Sequence, residues 1–351
     1  MKTKAAIQVE PRGPLVVEEI DLPSPGPGQV TIHNFASGVC YSQVHQLRNT
    51  QLPRPMGLGH EGSGVVTAVG EGVTHVQAGD HVISTWVSRV PIRGLPVSKP
   101  TGATFRGQPL IADGDVYTWS EDMVTFAEKV VPVSPSEPTD ISCLIGCAVL
   151  TGAGAVLHTA KVGPGDSVAV FGAGGVGLSA IGAAAIAGAD PIIAVDLENR
   201  KLQFASEFGA THGINAVDVD AVDAIREISP GGVDYAFDAV GGPTTALQIL
   251  EAVRQGGPRA DNQGGTAVLL GIPTADVSFD LNAILLYQRR YCGSLGSTEP
   301  DTDFPRYLEW VRKDKFPLER LVTNRYSLEQ IEEARVALEE GQILGRAIIE
   351  F

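Results

Sequence analysis

The sequence predicts an α/β protein with two domains, one β-rich and one built on a doubly wound parallel sheet, and three observations lead there. The chain has 351 residues, and at roughly 150 residues per domain that length favours two. Up to about residue 150 the chain breaks into short β-type runs separated by Pro/Gly clusters, whereas from Asp166 onward strand-like and helix-like segments alternate. A glycine pattern, GAGGVG from Gly172 to Gly177, sits directly between one such strand and the helix after it.

In chain order, LPSPGPG (Leu22 to Gly28) and GEGV (Gly70 to Val73) punctuate the runs QVTIHNFAS and GSGVVTAVG, which read as strands. Val87 to Tyr117 is rich in Pro and Gly without a clear period, and reads as an irregular excursion. The uncharged stretch from Ser167 to Ala189 is long enough to span a bilayer, yet it holds six glycines and divides into a β-branched half, SVAVF, and an Ala-rich half, VGLSAIGAAAIAG. Strand, turn and helix is the better parse. The strand candidates SVAVFG, PIIAVD, VDYAFDAVG and TAVLLGI then alternate with the helical LENRKLQFASEFG, AVDAIREIS and TTALQILEAVR. Beyond Ser294, Ser327 and Gln330 are spaced as a capping box, and the closing AIIEF reads as a strand that returns to the first domain. The expected domains are 1–151, 152–294 and a C-terminal return over 295–351.

Composition narrows the function. With 26 Lys+Arg against 41 Asp+Glu the net charge is −15, which argues against nucleic acid and anionic membrane surfaces as partners. A hydrophobic content of 43% against 19% charged residues supplies large cores. The four cysteines, Cys40, Cys143, Cys147 and Cys292, are too few and scattered to staple the chain, and MKTKAAIQVE has no apolar run after its lysines, so a reducing, cytoplasmic setting is expected.

Two groups of residues carry chemistry. In the glycine pattern, Gly172 allows the tight turn, Gly174 lets backbone approach a pyrophosphate, and Gly177 lets helix pack on strand, with phosphates at the helix N-terminus. The next strand ends at Asp196, where a carboxylate accepts ribose hydroxyls and repels a 2′-phosphate, so NAD(H) is expected over NADP(H). Arg200 and Lys201 close behind keep an NADP(H) alternative open. The second group is Cys40, His60 with Glu61, and Cys147, where no pair has the short CxxC spacing of a structural finger. Spacing alone leaves both a metal site and ordinary core thiols open. Cys143 and Cys147, four apart in an apolar pattern, also suit neighbouring core positions.

Taken together, GVCYSQVH, GHEGSGVV, GCAVLTGAGA and GAGGVG resemble, in this order and at these separations from about Lys4 to Phe351, the zinc-containing alcohol dehydrogenases of the medium-chain dehydrogenase/reductase superfamily. The resemblance implies a GroES-like β-rich catalytic domain and a Rossmann coenzyme domain. It implies that Cys40, His60 and Cys147 ligate a catalytic zinc, with Glu61 a carboxylate near the metal and the fourth position open to water or substrate. It further implies a proton relay from Ser42 through the coenzyme ribose to His45. Thr151 and Val176 are implied to pack on the nicotinamide, Gly172, Gly174, Gly175 and Gly177 to form the pyrophosphate loop, Asp196 and Lys201 to meet the adenosine ribose, and Arg346 to meet the pyrophosphate. Trp86, Trp119 and Leu295 resemble substrate-pocket positions, although core packing explains the two tryptophans equally well. The implied reaction is hydride transfer between NAD and an alcohol or carbonyl compound, with a small or flat primary alcohol or aldehyde as the expected substrate.

Three departures qualify the resemblance. No cysteine lies between Trp86 and Trp119, so the lobe holding a structural zinc in many relatives is missing and one zinc per chain is expected. Tyr41 stands where many relatives place a basic side chain near the coenzyme phosphates. Gln43 replaces the aspartate that usually orients the ligating histidine, a change that typically lowers metal affinity or activity 10- to 100-fold. Tyr41 and Gln43 motivate a rival reading as a redox-inactive lyase or coenzyme-binding protein; a second rival, a zinc-free quinone or alkene reductase on the same fold, is opposed by Cys40, His60, Cys147 and Asp196. A homodimer joined through coenzyme-domain edges, in the region of SFDLNAI from Ser278, is expected.

Overall fold

The structure, a computed structural model, describes residues 1–92, 94, 99–257 and 262–351. It divides into two compact units: Met1–Ala148 with Thr298–Glu309 and Leu318–Phe351, and Val149–Ser297 with Trp310–Pro317. The segment 310–317 thus groups with the second unit, unlike the expected boundary at 295. The reason is Phe316, which is buried, sits edge-on to Phe208 at 6.1 Å and occupies the space that a side chain at Gly182 would fill.

Two sheets, among the described residues, build the first unit. In one, Leu15–Asp21 and Lys2–Gln8 pair antiparallel. In the other, the strand Gln29–Val39 is central, flanked by Glu61–Val69 on one side and by Arg346–Glu350 on the other. The AIIEF ending therefore does return, with Ala347 opposite Val39 and Glu350 opposite Ala36. Ser327 and Gln330 close the expected capping box. Between the sheets lies a core of Ile7, Ile20, Ile32, Val66, Val82, Met123 and Tyr117, every one nearly solvent-free. Removing each such aliphatic side chain from water contributes roughly 1.5–3 kcal/mol. The Val87 to Tyr117 excursion carries more order than its composition suggests, since Thr104–Phe105 pairs with Gln108–Pro109 and Ile111–Ala112 joins Met56–Gly57; residues 93 and 95–98 lie outside the described residues.

In the second unit six parallel strands run in the order His212–Asn215, Ile192–Asp196, Val168–Phe171, Tyr235–Asp238, Thr266–Leu269 and Arg290–Gly293. In sequence terms this is 3-2-1-4-5-6, the doubly wound order, with a ligand crevice where the order reverses. The uncharged stretch divides as expected into the strand Val168–Phe171 and the helix Gly175–Ala187. Among the described residues no helix is long and apolar enough to cross a membrane. SFDLNAI is not an edge strand: it leads into the short helix Asn282–Leu285, and the outermost strand on that side is Arg290–Gly293. SFDLNAI has an Asp and an Asn within five residues, both poor strand formers.

Candidate active site and coenzyme loop

Three loops of the first unit deliver the ligand candidates to one point. Cys40 is the extended N-cap between the strand Gln29–Val39 and the helix Tyr41–Arg48. His60 follows Gly59, whose φ of +93° makes the sharp turn and where an added Cβ would lie 2.5 Å from the backbone nitrogen of Trp119. Cys147 follows the turn Ile141–Gly146. The ligand atoms of all three residues lie within 4.8 Å of one another, and all three residues are buried. Nε2 of His60 is 3.2 Å from Sγ of Cys147 and 3.3 Å from Oγ of Ser42. Two sulfurs and one imidazole nitrogen are the donor set zinc prefers, with a fourth position left open in a catalytic site.

The electrostatics suit a dication. A hydrogen bond from Cys147 holds the Cys40 thiol well below its ordinary range, with burial opposing and the charge of Arg346 assisting. Cys147 is raised by the same shared hydrogen bond and by burial, and metal binding would release its proton. Directly after His60, Glu61 is fully buried, and its Oε2 accepts the Ala148 N–H at 3.1 Å. Its Oε1 has no hydrogen-bond partner and faces Nη1 of Arg346 at 3.6 Å. Burial pushes the Glu61 carboxyl up to about 7, against the pull of Arg346. An orphaned carboxylate oxygen beside three converging ligands is what a nearby cation would satisfy.

Gln43 accepts the Cys40 N–H through Oε1 at 3.1 Å and presents its nitrogen to Nδ1 of His60. His45 lies one turn beyond Ser42 on the same helix, half-buried, with its ring edge-on to the exposed Tyr41 at 5.5 Å. Burial, and then the charge of Arg48, lowers the His45 pKa.

In the second unit the glycine loop has the geometry its spacing implies. Gly172 has φ +92°, and a Cβ on Gly177 would lie 1.8 Å from the Gly172 carbonyl oxygen. Gly174 is the N-cap of the helix Gly175–Ala187, with open space where its side chain would be. Val176 sits in the first turn of that helix, and Thr151 lies buried in the helix Ala148–Gly154. Asp196 ends its strand as expected, Oδ2 accepting the Ala173 N–H at 2.8 Å and Oδ1 the Leu197 N–H at 2.7 Å. Lys201 is bound to Glu198 at 2.9 Å.

Several expected roles change. Trp119 is no pocket residue: it is 1% exposed, packs with Leu58, Val39 and Ala347, and donates its indole N–H to the Gly38 carbonyl at 3.0 Å. Trp86 is half-buried beyond the strand His81–Thr85, and its indole nitrogen has no partner. Leu295 is 67% exposed. Arg346, implied to meet the pyrophosphate, is buried beneath the ligand cluster and donates to the Val39 carbonyl at 3.2 Å. Sequence reasoning missed Gly38, where a Cβ would lie 2.4 Å from the Glu61 carboxylate. Its adjacency to Cys40 in SGVC was the available signal.

The comparisons with known proteins agree with this chemistry. Residues 26–135 match the alcohol dehydrogenase GroES-like domain family, and 175–313 the zinc-binding dehydrogenase family. An S-(hydroxymethyl)glutathione dehydrogenase of Haemophilus influenzae is 33% identical, covering 99% of this chain and 97% of that protein. A class-3 alcohol dehydrogenase of Cereibacter sphaeroides is 33% identical, covering 99% and 100%. The crystal structure of benzyl alcohol dehydrogenase from Acinetobacter calcoaceticus superposes with a TM-score of 0.89 at 29% identity, covering 100% of this chain and 99% of that one. The zinc-free reductase and the redox-inactive protein are not favoured by these relatives. Family models in both units, and relatives a third identical over nearly the full length, place the chain among the zinc-containing alcohol dehydrogenases of the medium-chain dehydrogenase/reductase superfamily, NAD-dependent oxidoreductases of alcohols.

Proposed function

We propose that this chain interconverts a small or flat primary alcohol and its aldehyde with NAD(H), using one zinc held by Cys40, His60 and Cys147, as a cytoplasmic homodimer. The observation that carries the reading is the convergence of those three buried ligands, with no second cluster of that kind among the described residues. A flat substrate is supported by the likeness to a benzyl alcohol dehydrogenase.

Zinc at this point supplies a Lewis acid that lowers the pKa of a hydroxyl and favours negative charge on oxygen, and NAD supplies the two-electron acceptor. The chain's own residues do the rest. Ser42, its Oγ beside Nε2 of His60, is placed to take the hydroxyl proton, and His45, three residues along the same helix, to receive it by way of the coenzyme ribose. Burial, and then the charge of Arg48, lowers the His45 pKa and so favours its neutral form. Arg346 lies beside the Glu61 carboxyl, Nη1 to Oε1 3.6 Å, and favours its charged form against burial. Thr151 and Val176 would pack against the nicotinamide, while the amides of the glycine loop meet the pyrophosphate and Asp196 and Lys201 the adenosine ribose. Arg346 serves the carboxylate of Glu61 rather than a phosphate. Trp86 and Leu295 remain the proposed substrate-facing residues. The dimer is supported by Phe279, Leu281, Leu285 and Leu286, apolar and exposed next to the outermost strand Arg290–Gly293.

The test is metal content by plasma mass spectrometry, NADH and NADPH titration, and turnover of benzyl alcohol, short alkanols and S-(hydroxymethyl)glutathione. One zinc per chain, tighter NADH binding and loss of both metal and turnover in Cys147→Ser are expected. A metal-free protein with full turnover would overturn the reading.

A further inference from the structure

At the end of the parallel sheet opposite the glycine loop, three arginines line one cavity of about 600 Å³. Arg254 donates its N–H to the Val233 carbonyl and accepts the Gly265 N–H, so it sits just ahead of the strands Tyr235–Asp238 and Thr266–Leu269. Arg289 immediately precedes the strand Arg290–Gly293, and Arg226 comes from the last turn of the helix Ala221–Ile228. Because the strands run parallel, these residues mark their amino ends. Gly172 and Asp196 stand at the carboxyl ends, where a doubly wound sheet takes its coenzyme. The cavity is therefore no part of the coenzyme loop.

The three cations are not equally matched. Arg226 contacts Asp223 at 3.3 Å and Arg254 contacts Asp234 at 2.6 Å. Arg289 is 7% exposed, its Nε is buried without a partner, and its one hydrogen bond, from Nη2 to the Glu251 carbonyl, is 3.5 Å long. Among the described residues no carboxylate contacts it, and its guanidinium carbon lies 5.7 Å from the centre of the Tyr287 ring. Burial, and then the charge of Arg226, lowers the Arg289 pKa against the pull of Glu251. A buried cation without a counter-ion is destabilising until an anion satisfies it.

We propose that this cavity is a second ligand site of the chain, taking a small phosphorylated molecule whose phosphate meets the guanidinium groups of Arg289, Arg226 and Arg254. Guanidinium forks match phosphate oxygens two at a time, and three forks offer more donors than the two oxygens of a lone carboxylate can accept. A phosphate ester carries about −1.5 to −2 charge at pH 7, enough to answer Arg289 and still draw on the two paired arginines. The cavity is also larger than a phosphate ion needs, within the roughly 300–1,000 Å³ of small-molecule sites. The side-chain amides of Gln255 and Asn262 line the same wall and suit the polar remainder of an ester.

The experiment follows the melting temperature of zinc-loaded, NADH-saturated protein while inorganic phosphate replaces NaCl at constant ionic strength, in wild type, Arg289→Met and Arg226→Gln. Bound NADH fills the pyrophosphate loop, so the phosphate signal does not come from there. Wild type is expected to show a saturable rise in melting temperature. The general stabilisation by phosphate as an excluded salt does not saturate and is common to all three proteins. Arg226→Gln, at an exposed position, should raise the half-saturating phosphate concentration about 10-fold, and Arg289→Met should abolish the saturable part. The absence of a saturable rise in wild type overturns the proposal. A saturable rise that persists unchanged in both variants overturns it too, by placing phosphate elsewhere. Succinate producing an arginine-dependent rise where phosphate produces none overturns the assignment to a phosphorylated ligand.

Discussion

The side-chain oxygen of Gln43 accepts the backbone N–H of Cys40, and the nitrogen of the same amide points at Nδ1 of His60. A backbone N–H can only donate, so it fixes which end of the amide faces it, and the amide NH2 then donates to Nδ1. The ring proton is left on Nε2, the nitrogen that faces Cys147 and would have to bind metal. Ligation moves that proton to Nδ1, where donor meets donor unless the amide turns over and abandons Cys40. A carboxylate serves both donors at once. Gln43→Glu is therefore expected to tighten zinc roughly 10-fold, as measured by competition with a chromogenic chelator. Equal affinity would show that the amide reorients at no cost.

The metal-free protein is expected to lose stability as pH rises from about 4.5 towards 7. Glu61 is raised from its ordinary 4.5 to about 7 by burial, so within that window the folded chain binds a proton that the unfolded chain has released. The stabilisation is fully present below the lower value and gone above the upper one, at most about 3 kcal/mol by linkage. Urea melts of chelator-treated protein across the range measure the slope, and Glu61→Gln should flatten it.

Trp119 and Trp86 should separate cleanly. Trp119→Phe loses the hydrogen bond to the Gly38 carbonyl and part of a closed core, costing about 2–3 kcal/mol of stability while leaving KM near that of the parent. Trp86→Ala is expected to move KM roughly 10-fold for a flat alcohol with a smaller change in melting temperature. Thermal melts and kinetics on both variants check this. A KM effect at Trp119 as large as that at Trp86 would return Trp119 to the pocket.

Two glycines of one loop are expected to fail in different ways. Gly177→Ala forces a methyl into the Gly172 carbonyl and should cost about 1–3 kcal/mol or more of stability. Gly174→Ala meets no protein atom, so melting is unchanged and only NADH binding weakens. Melting curves paired with NADH titrations distinguish the two.

Much of this was legible because local rules decided it. Six glycines broke the apolar run at Ser167 into strand and helix, and the doubly wound order followed from strand and helix alternating. The ligand set was legible only through resemblance, since Cys40, His60 and Cys147 are far apart in sequence and meet only when three separate loops converge. What remained hidden depended on tertiary partners. A tryptophan reads alike in a core and in a pocket, so the burial of Trp119 came from its neighbours. Arg346 looked like a phosphate ligand until Glu61 appeared opposite it. The short strands at Thr104–Phe105 and Ile111–Ala112 are too brief to show a period.

The strand Arg346–Glu350 lies against Gln29–Val39 across a separation of some 307 residues. Synthesis therefore cannot complete the first unit as it proceeds. The second unit is nearly continuous in sequence and is free to fold while the ribosome is still working. At about 5–20 residues per second, Cys147 is made roughly 10–40 s before Arg346. During that interval the thiols of the metal site exist without their counter-charge and without their closing strand. The nascent chain then holds a half-assembled thiol cluster that lacks the strand which closes over it.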